Sequence, residues 1–174
     1  MSKYASFETE RLILKPTDLD DAEYVFEQFN TPKWLANIGD RNIHSIEDAE
    51  NYIKARHIPQ FDRLGYGNYI MIRKHDQQKI GSCGLYDREG LKGIDIGFAL
   101  LPTYEGKAYA YEASLRLKEI AIEEFGLRSI GAITTKTNLA SQNLLTKLGL
   151  EFVEFRKIPG DDEELMYYLL EVKN

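Results

Sequence analysis

The spacing of apolar positions changes several times along the chain, and each change marks an element. Between Phe7 and Lys15, Leu12 and Leu14 fall on one side and Arg11 and Ile13 on the other, a period of two that predicts a first strand. Thr17, followed three residues later by Asp20, opens a helical pattern with Ala22, Val25, Phe26 and Phe29 on one face. Ser45 and Asp48 repeat that capping logic before Ala49, Tyr52, Ile53 and Ile58, so a second helix is predicted, limited by Pro59. Trp34 to Asn42 reads as the loop between the two helices.

From Asn68 the period returns to two. Tyr69 to Arg73, Lys79 to Tyr86 and Ile94 to Leu101, separated by polar or glycine turns, predict an antiparallel meander. Ala113, Leu117, Ile120 and Ala121 then form a stripe of helical period, closed at Phe125-Gly126-Leu127. Ser129 to Thr134 reads as a strand and Leu139 to Leu148 as a short helix ended by Gly149. Glu151 to Lys157 and Glu164 to Glu171 read as a closing strand pair. The order βααβββαβαββ is a mixed α/β class.

Composition narrows this further. The chain has 174 residues, 43% of them hydrophobic, which is enough for a core without metal or disulfide staples. With no linker-like stretch, residues 7–172 are expected to form one domain. A formal charge of −6 argues against a broad nucleic-acid face, and a cationic or amine-bearing partner fits better. The best apolar runs, such as Ile96 to Leu101, are far too short to span a membrane, and Met1 to Arg11 is too polar for a signal peptide. With Cys83 as the sole thiol, a cytoplasmic protein is expected.

The stretch that carries chemistry is Ile94 to Ala113, where an apolar strand stops at Pro102 and a loop of small residues leads into the long helix. Gly106, Ala108 and Ala110 leave the backbone uncovered, so the amides that a helix start cannot pair internally are able to converge on an anion. Lys107 adds a mobile positive charge. The plainer reading is a helix start with small residues for packing. No GxxxxGK[ST] occurs, and Gly65-Tyr66-Gly67 precedes a strand, so neither a P-loop nor a dinucleotide fold is supported. His44, His57 and His75 lack metal-ligand spacing, so no metal is expected.

Six ordered segments resemble the GNAT N-acetyltransferases, and most of all the branch that includes the ribosomal-protein N-terminal acetyltransferases. They are Glu8-Thr9-Glu10-Arg11-Leu12-Ile13-Leu14, Gly65-Tyr66-Gly67, Ile80 to Leu85, Asp95-Ile96-Gly97-Phe98, Glu105 to Ala110, and Asn138-Leu139-Ala140-Ser141 through Leu150. The resemblance implies a mostly antiparallel sheet with a splayed parallel strand pair and flanking helices. It also implies an acetyl-CoA co-substrate, its pantetheine arm in the wedge beside Phe98, Ala99 and Leu100. The pyrophosphate would lie on the loop Glu105, Gly106, Lys107, Ala108, Tyr109 and Ala110. Two positions depart from the family: Glu105 stands where Arg or Gln is frequent, and Ala108 where a second Gly is frequent.

The implied reaction is transfer of an acetyl group to a protein N-terminal α-amine or a small amine by direct attack on the thioester. It needs a neutral amine, donors for the developing oxyanion and a proton for the thiolate. The resemblance assigns Asp95 as the base, backbone amides near Phe98 to Leu100 as oxyanion donors, and Asn138 and Ser141 as contacts to the pantetheine or sulfur region. On local grounds Asp95 is equally a strand carboxylate, and Asn138 a helix cap with Ser141 in the first turn. The family's frequent Tyr acid falls on Leu145 here, leaving a water relayed by Ser141, or Tyr104 or Tyr109. Trp34, Asn42, Tyr69 and Tyr86 are acceptor-pocket candidates. A catalytically degenerate domain that binds acyl-CoA or a partner protein is the alternative.

Overall fold

The computed structural model describes residues 2–173. The expected first strand is two: β1 (Phe7–Glu8) and β2 (Leu12–Pro16) form a tight hairpin, closed by the Thr9 amide donating to the Leu12 carbonyl at 2.9 Å. The turn is fixed from far away in sequence, because Glu112 accepts from the Thr9 hydroxyl (2.6 Å), the Arg11 amide (2.8 Å) and Arg11 Nε (2.6 Å). The helical region then holds four helices in place of the two expected: α1 (Ala22–Phe29), α2 (Pro32–Asn37), α3 (Ile46–Tyr52) and α4 (Ile58–Leu64).

Local chemistry explains each difference. The N-cap before α1 is Asp18, whose side chain accepts from the Asp20 amide, while the Thr17 hydroxyl instead donates to the Asn68 carbonyl at 3.0 Å. α2 fills part of the expected loop because Thr31 caps it and Pro32 sits in its first turn, where a missing N–H is harmless. Ser45 caps α3 as expected, accepting from the Asp48 amide. Pro59 does not stop the chain: a wide π turn over Ile53–His57 pairs the Ile58 amide with the Ile53 carbonyl, and α4 continues to Gly65. The wider turn skips the bond that Pro59 cannot make.

β3 (Asn68–Arg73), β4 (Gln78–Tyr86) and β5 (Asp95–Leu100) form the meander. α5 (Tyr109–Glu123), β6 (Ser129–Thr134), α6 (Leu139–Lys147), β7 (Glu151–Arg156) and β8 (Leu165–Glu171) complete the chain. The eight strands are ordered β1-β2-β3-β4-β5-β6-β8-β7, antiparallel except for β5 beside β6. The mixed α/β fold with a parallel pair is therefore the one expected. β7 is an outer edge on which Phe152, Val153 and Phe155 are exposed.

The stripe Ala113, Leu117, Ile120 and Ala121 of α5 is fully buried against one sheet face, with Cys83, Leu85, Ile96 and Ile130 beneath it. Burying Leu117 and Ile120 contributes roughly 1.5–3 kcal/mol each. On the other face α1 buries Ala22, Val25 and Phe29 against Ile43, Ala49 and Ile53. Asp21, at the start of α1, ties this helical layer to the sheet through Lys15 (2.6 Å) and Lys79 (2.7 Å). Burial raises the Asp21 pKa, but the hydrogen bonds from the two lysines outweigh it and hold the carboxyl below its ordinary value.

Candidate active site

The parallel pair meets at a single position. Asp95 stands opposite Gly131, and the Gly131 amide donates to the Ile94 carbonyl at 2.8 Å; beyond that point β5 and β6 diverge. The Leu101 amide donates to the Ile80 carbonyl of β4, so by antiparallel alternation the amides of Ala99 and Gly97 also face β4. The amides of Phe98 and Leu100 face the wedge, where β6 no longer reaches them. Of the three expected oxyanion donors, Ala99 is thus turned away, and its carbonyl accepts from Gln28 Nε2 of α1 at 3.3 Å.

The wedge opens into a cleft of about 720 Å³, walled by α1, α2 and the π turn on one side and by α6 on the other. Its mouth is the start of α5. Gly106 (φ +77°) and Ala108 (φ +62°) both take left-handed backbone, and no side chain caps the helix. The first amides of α5 are therefore those that a helix leaves unpaired, aimed at the cleft. A Cβ on Gly106 would meet nothing within 4 Å, so the space beside the loop is open. Ala108 carries the left-handed turn at roughly 1–2 kcal/mol of strain, because the position favours glycine.

The loop is held from outside. Arg11 Nη2 donates to the Lys107 carbonyl (3.0 Å), and its guanidinium lies 4.2 Å from the Tyr109 ring centre. Lys107 itself does not line the cleft. Glu105 does, but its carboxylate pairs with Lys33 of α2 at 2.8 Å, which neutralises the charge that the sequence set beside the anion site. Hydrogen bonds from Thr9 and Arg11 hold Glu112 below the ordinary carboxylate range despite its burial.

Asp95 lies at the foot of the wedge, 2% exposed, and lines the cleft. Arg88, which sequence reasoning missed, clamps it: Nε lies 3.2 Å from Oδ1 and Nη2 3.2 Å from Oδ2. Burial pushes the Asp95 carboxyl above its ordinary value, with Arg88 opposing. The β4–β5 hairpin register, which places Tyr86 opposite Asp95, brings the following loop back over this carboxylate. Tyr86 lies flat over the Gly84–Gly97 pair, where a Cβ on either glycine would strike its ring, and its hydroxyl donates to Asn68 Oδ1 at 2.6 Å.

On the far wall Asn138 caps α6, its Oδ1 accepting from the Ser141 amide at 3.2 Å, and both residues line the cleft. Leu145 is 1% exposed. Tyr109 borders the cleft, whereas Tyr104 does not and stacks under Arg73 at 4.9 Å. Of the acceptor-side candidates, Trp34 and Tyr86 line the cleft. Tyr69 belongs to the core on the opposite sheet face, against Phe7 and Phe61, and Asn42 lies outside the lining.

Residues 11–151 match the family model described as an acetyltransferase (GNAT) domain. The chain belongs to the GNAT acetyltransferase family. It is 28% identical over 145 residues, 83% of this chain and 81% of the relative, to an uncharacterized N-acetyltransferase of Bacillus subtilis, YoaA. Its fold is similar to that of an acetyltransferase from Agrobacterium tumefaciens, with TM-score 0.82, 19% identity, and 98% and 96% of the two chains covered. It is equally similar, at TM-score 0.82 and 16% identity over 97% and 98% of the chains, to RimL, a ribosomal L7/L12 alpha-N-protein acetyltransferase solved in complex with coenzyme A.

Proposed function

We propose that the protein transfers the acetyl group of acetyl-CoA to a primary amine, on a protein N-terminus or a small molecule, by direct attack on the thioester. The observation that carries this reading is the one-residue bridge at Asp95 and Gly131, from which a wedge with two free strand amides leads to an uncapped helix start. Such a wedge suits a slender acyl-pantetheine arm, and the helix start suits its pyrophosphate. Gly106, Ala108, Tyr109 and Ala110 would cradle the phosphates through main-chain groups, with Asn138 and Ser141 alongside the arm. Lys107 contributes only through long-range charge. Among the described residues no helix is long and apolar enough to cross a membrane, and the proposed site of action is the cytoplasm.

Within that reading, Asp95 takes the amine's proton, directly or through water, and its raised pKa brings it closer to the working range of a base. One of the two wedge-facing amides, Phe98 or Leu100, donates to the thioester carbonyl oxygen as negative charge grows on it, and the other, about 6.7 Å along the strand, pairs with the pantetheine arm. With Leu145 apolar and buried, the departing thiolate takes its proton from water, relayed by Ser141.

Two measurements test this together. Acetyl-CoA at a hundred times its Kd stabilises the fold by about 2.7 kcal/mol and raises the melting temperature, and ATP at equal concentration does much less. Thiol release then follows when amines are added, read against peptides beginning with Ala, Ser, Thr or Met, polyamines and aminoglycosides. A protein that gained the melting shift yet released no thiol with any amine would be a binder and not a transferase.

A further inference from the structure

In a chain of net charge −6, the acceptor wall of the cleft carries an unexpected surplus of guanidinium groups. Three cations on the cleft are already matched: Lys33 by Glu105 (2.8 Å), Arg63 by Asp87 (2.8 Å) and Arg88 by Asp95 (3.2 Å). Arg41, just beyond α2, and Arg56, in the π turn, have no ion-pair partner among the described residues, and both line the cleft. The remaining lining carboxylate, Asp161, comes from the β7–β8 loop and accepts the Glu163 amide at 2.9 Å.

A second observation is independent of charge. His57 is 7% exposed and its Nε2 has no hydrogen-bond partner; Trp34 Nε1 is likewise buried and unpartnered, and both residues line the cleft. Burial lowers the His57 pKa to about 4, so at neutral pH it offers a hydrogen bond and no charge. A buried polar atom left unpaired costs about 1–3 kcal/mol, a cost that a polar ligand removes. Between these groups runs a flat aromatic wall: Phe29 stacks on Trp34 at 4.0 Å, with Tyr52 edge-on to Phe29 at 5.2 Å.

We propose that the acceptor is a primary amine on a molecule that also carries a carboxylate or phosphate, the anionic group held by Arg41 and Arg56 and the amine directed toward Asp95. The proposal rests on the transferase reading above. Guanidinium is weakly hydrated and pairs with planar or tetrahedral oxyanions through two bonds, so it both attracts and orients such a group. A polyamine would meet the same two arginines as like charges.

The test uses pairs of amines that differ in charge and little in shape: 5-aminopentanoate against 5-aminopentanamide, β-alanine against β-alaninamide, and glucosamine 6-phosphate against glucosamine. With saturating acetyl-CoA, the charged member should show at least a ten-fold higher kcat/KM by thiol release. The carboxylate and phosphate arms then tell which anion is preferred. Arg41→Gln and Arg56→Gln should each shrink the charged-to-neutral ratio at least five-fold, mainly through KM, and added salt should shrink it in the same direction. Equal or better turnover of the neutral members, or variants that lower both members alike, would overturn the proposal while leaving the transferase standing. Absence of thiol release with every amine tried, in protein still stabilised by acetyl-CoA, would overturn both.

Discussion

The two walls of the cleft bind by different means. The β5–α5 wall presents main-chain groups: the Phe98 and Leu100 amides and a helix start in which Gly106, Ala108 and Ala110 leave the backbone uncovered. The α1–α4 wall presents side chains: a stacked Phe29 and Trp34, Tyr52, His57 and unpaired arginines. A main-chain site tolerates replacement of side chains so long as backbone geometry survives, and this chain does keep its left-handed turn with Ala at position 108. A side-chain site changes its ligand whenever its residues change. The first wall is accordingly what a family can share, and the second is where one member becomes particular.

The sharpest break in that comparison is at Asp95, the side chain at the junction of both walls. Asp95→Asn preserves shape and should lower turnover by roughly ten- to a thousand-fold, with acetyl-CoA affinity nearly unchanged. Because burial raises the carboxyl's pKa, wild-type kcat/KM should fall on the acid side as that group protonates, and the variant should lose this limb. Turnover equal to wild type from pH 6 to 9 would reduce Asp95 to the structural partner of Arg88.

Next in size is the main-chain wall. Gly106→Asp puts a negative charge beside the uncapped start of α5, and it should weaken coenzyme A binding by on the order of 30- to 100-fold by calorimetry. The fold should survive at a cost of about 1–2 kcal/mol, since a Cβ there meets open space but a left-handed φ of +77° strains any residue other than glycine. Unchanged affinity in a folded variant would move the phosphate site elsewhere.

The remaining test leaves ligand affinity aside and concerns stability. His57 is depressed to about 4 in the fold against an ordinary value near 6.5, so between those pH values the unfolded chain binds a proton that the folded one refuses. Stability is unaffected above that window and falls through it by up to about 1.4 kcal/mol per pH unit. Relative to wild type, His57→Gln should therefore gain melting temperature as pH drops from 7 to 4.5. A constant difference would show that His57 is not held neutral by its surroundings.

How much of this was legible depended on the range of the forces involved. The α5 stripe, the meander and the loop at Gly106 follow from local period and backbone chemistry, and they stand where the pattern put them. The division of the first strand was hidden because Glu112, about a hundred residues away, closes the turn at Thr9 and Arg11. α2 had a local signal, Thr31 before Pro32, but the apolar period that would have drawn attention to it is absent from so short a helix. Pro59 misled because a π turn takes up the bond it lacks. Arg88 was out of reach for another reason: its tie to Asp95 exists only once the β4–β5 register is set.

The bridge between Asp95 and Gly131 also changes how many edges the sheet has. β1 and β7 end it on the outside, as in any open sheet, but the diverging sides of β5 and β6 are two more edges, enclosed within the protein. Unpaired strand groups on an outer edge invite any extended chain to add on, which is why exposed edges are prone to aggregation. Here the inner pair is joined at one end, at Asp95 and Gly131, where the strands stand at the usual spacing of about 4.8 Å. Only something thinner than a polypeptide strand can enter at the narrow end, so the fold obtains a hydrogen-bonding edge without the indiscriminate pairing that edges bring.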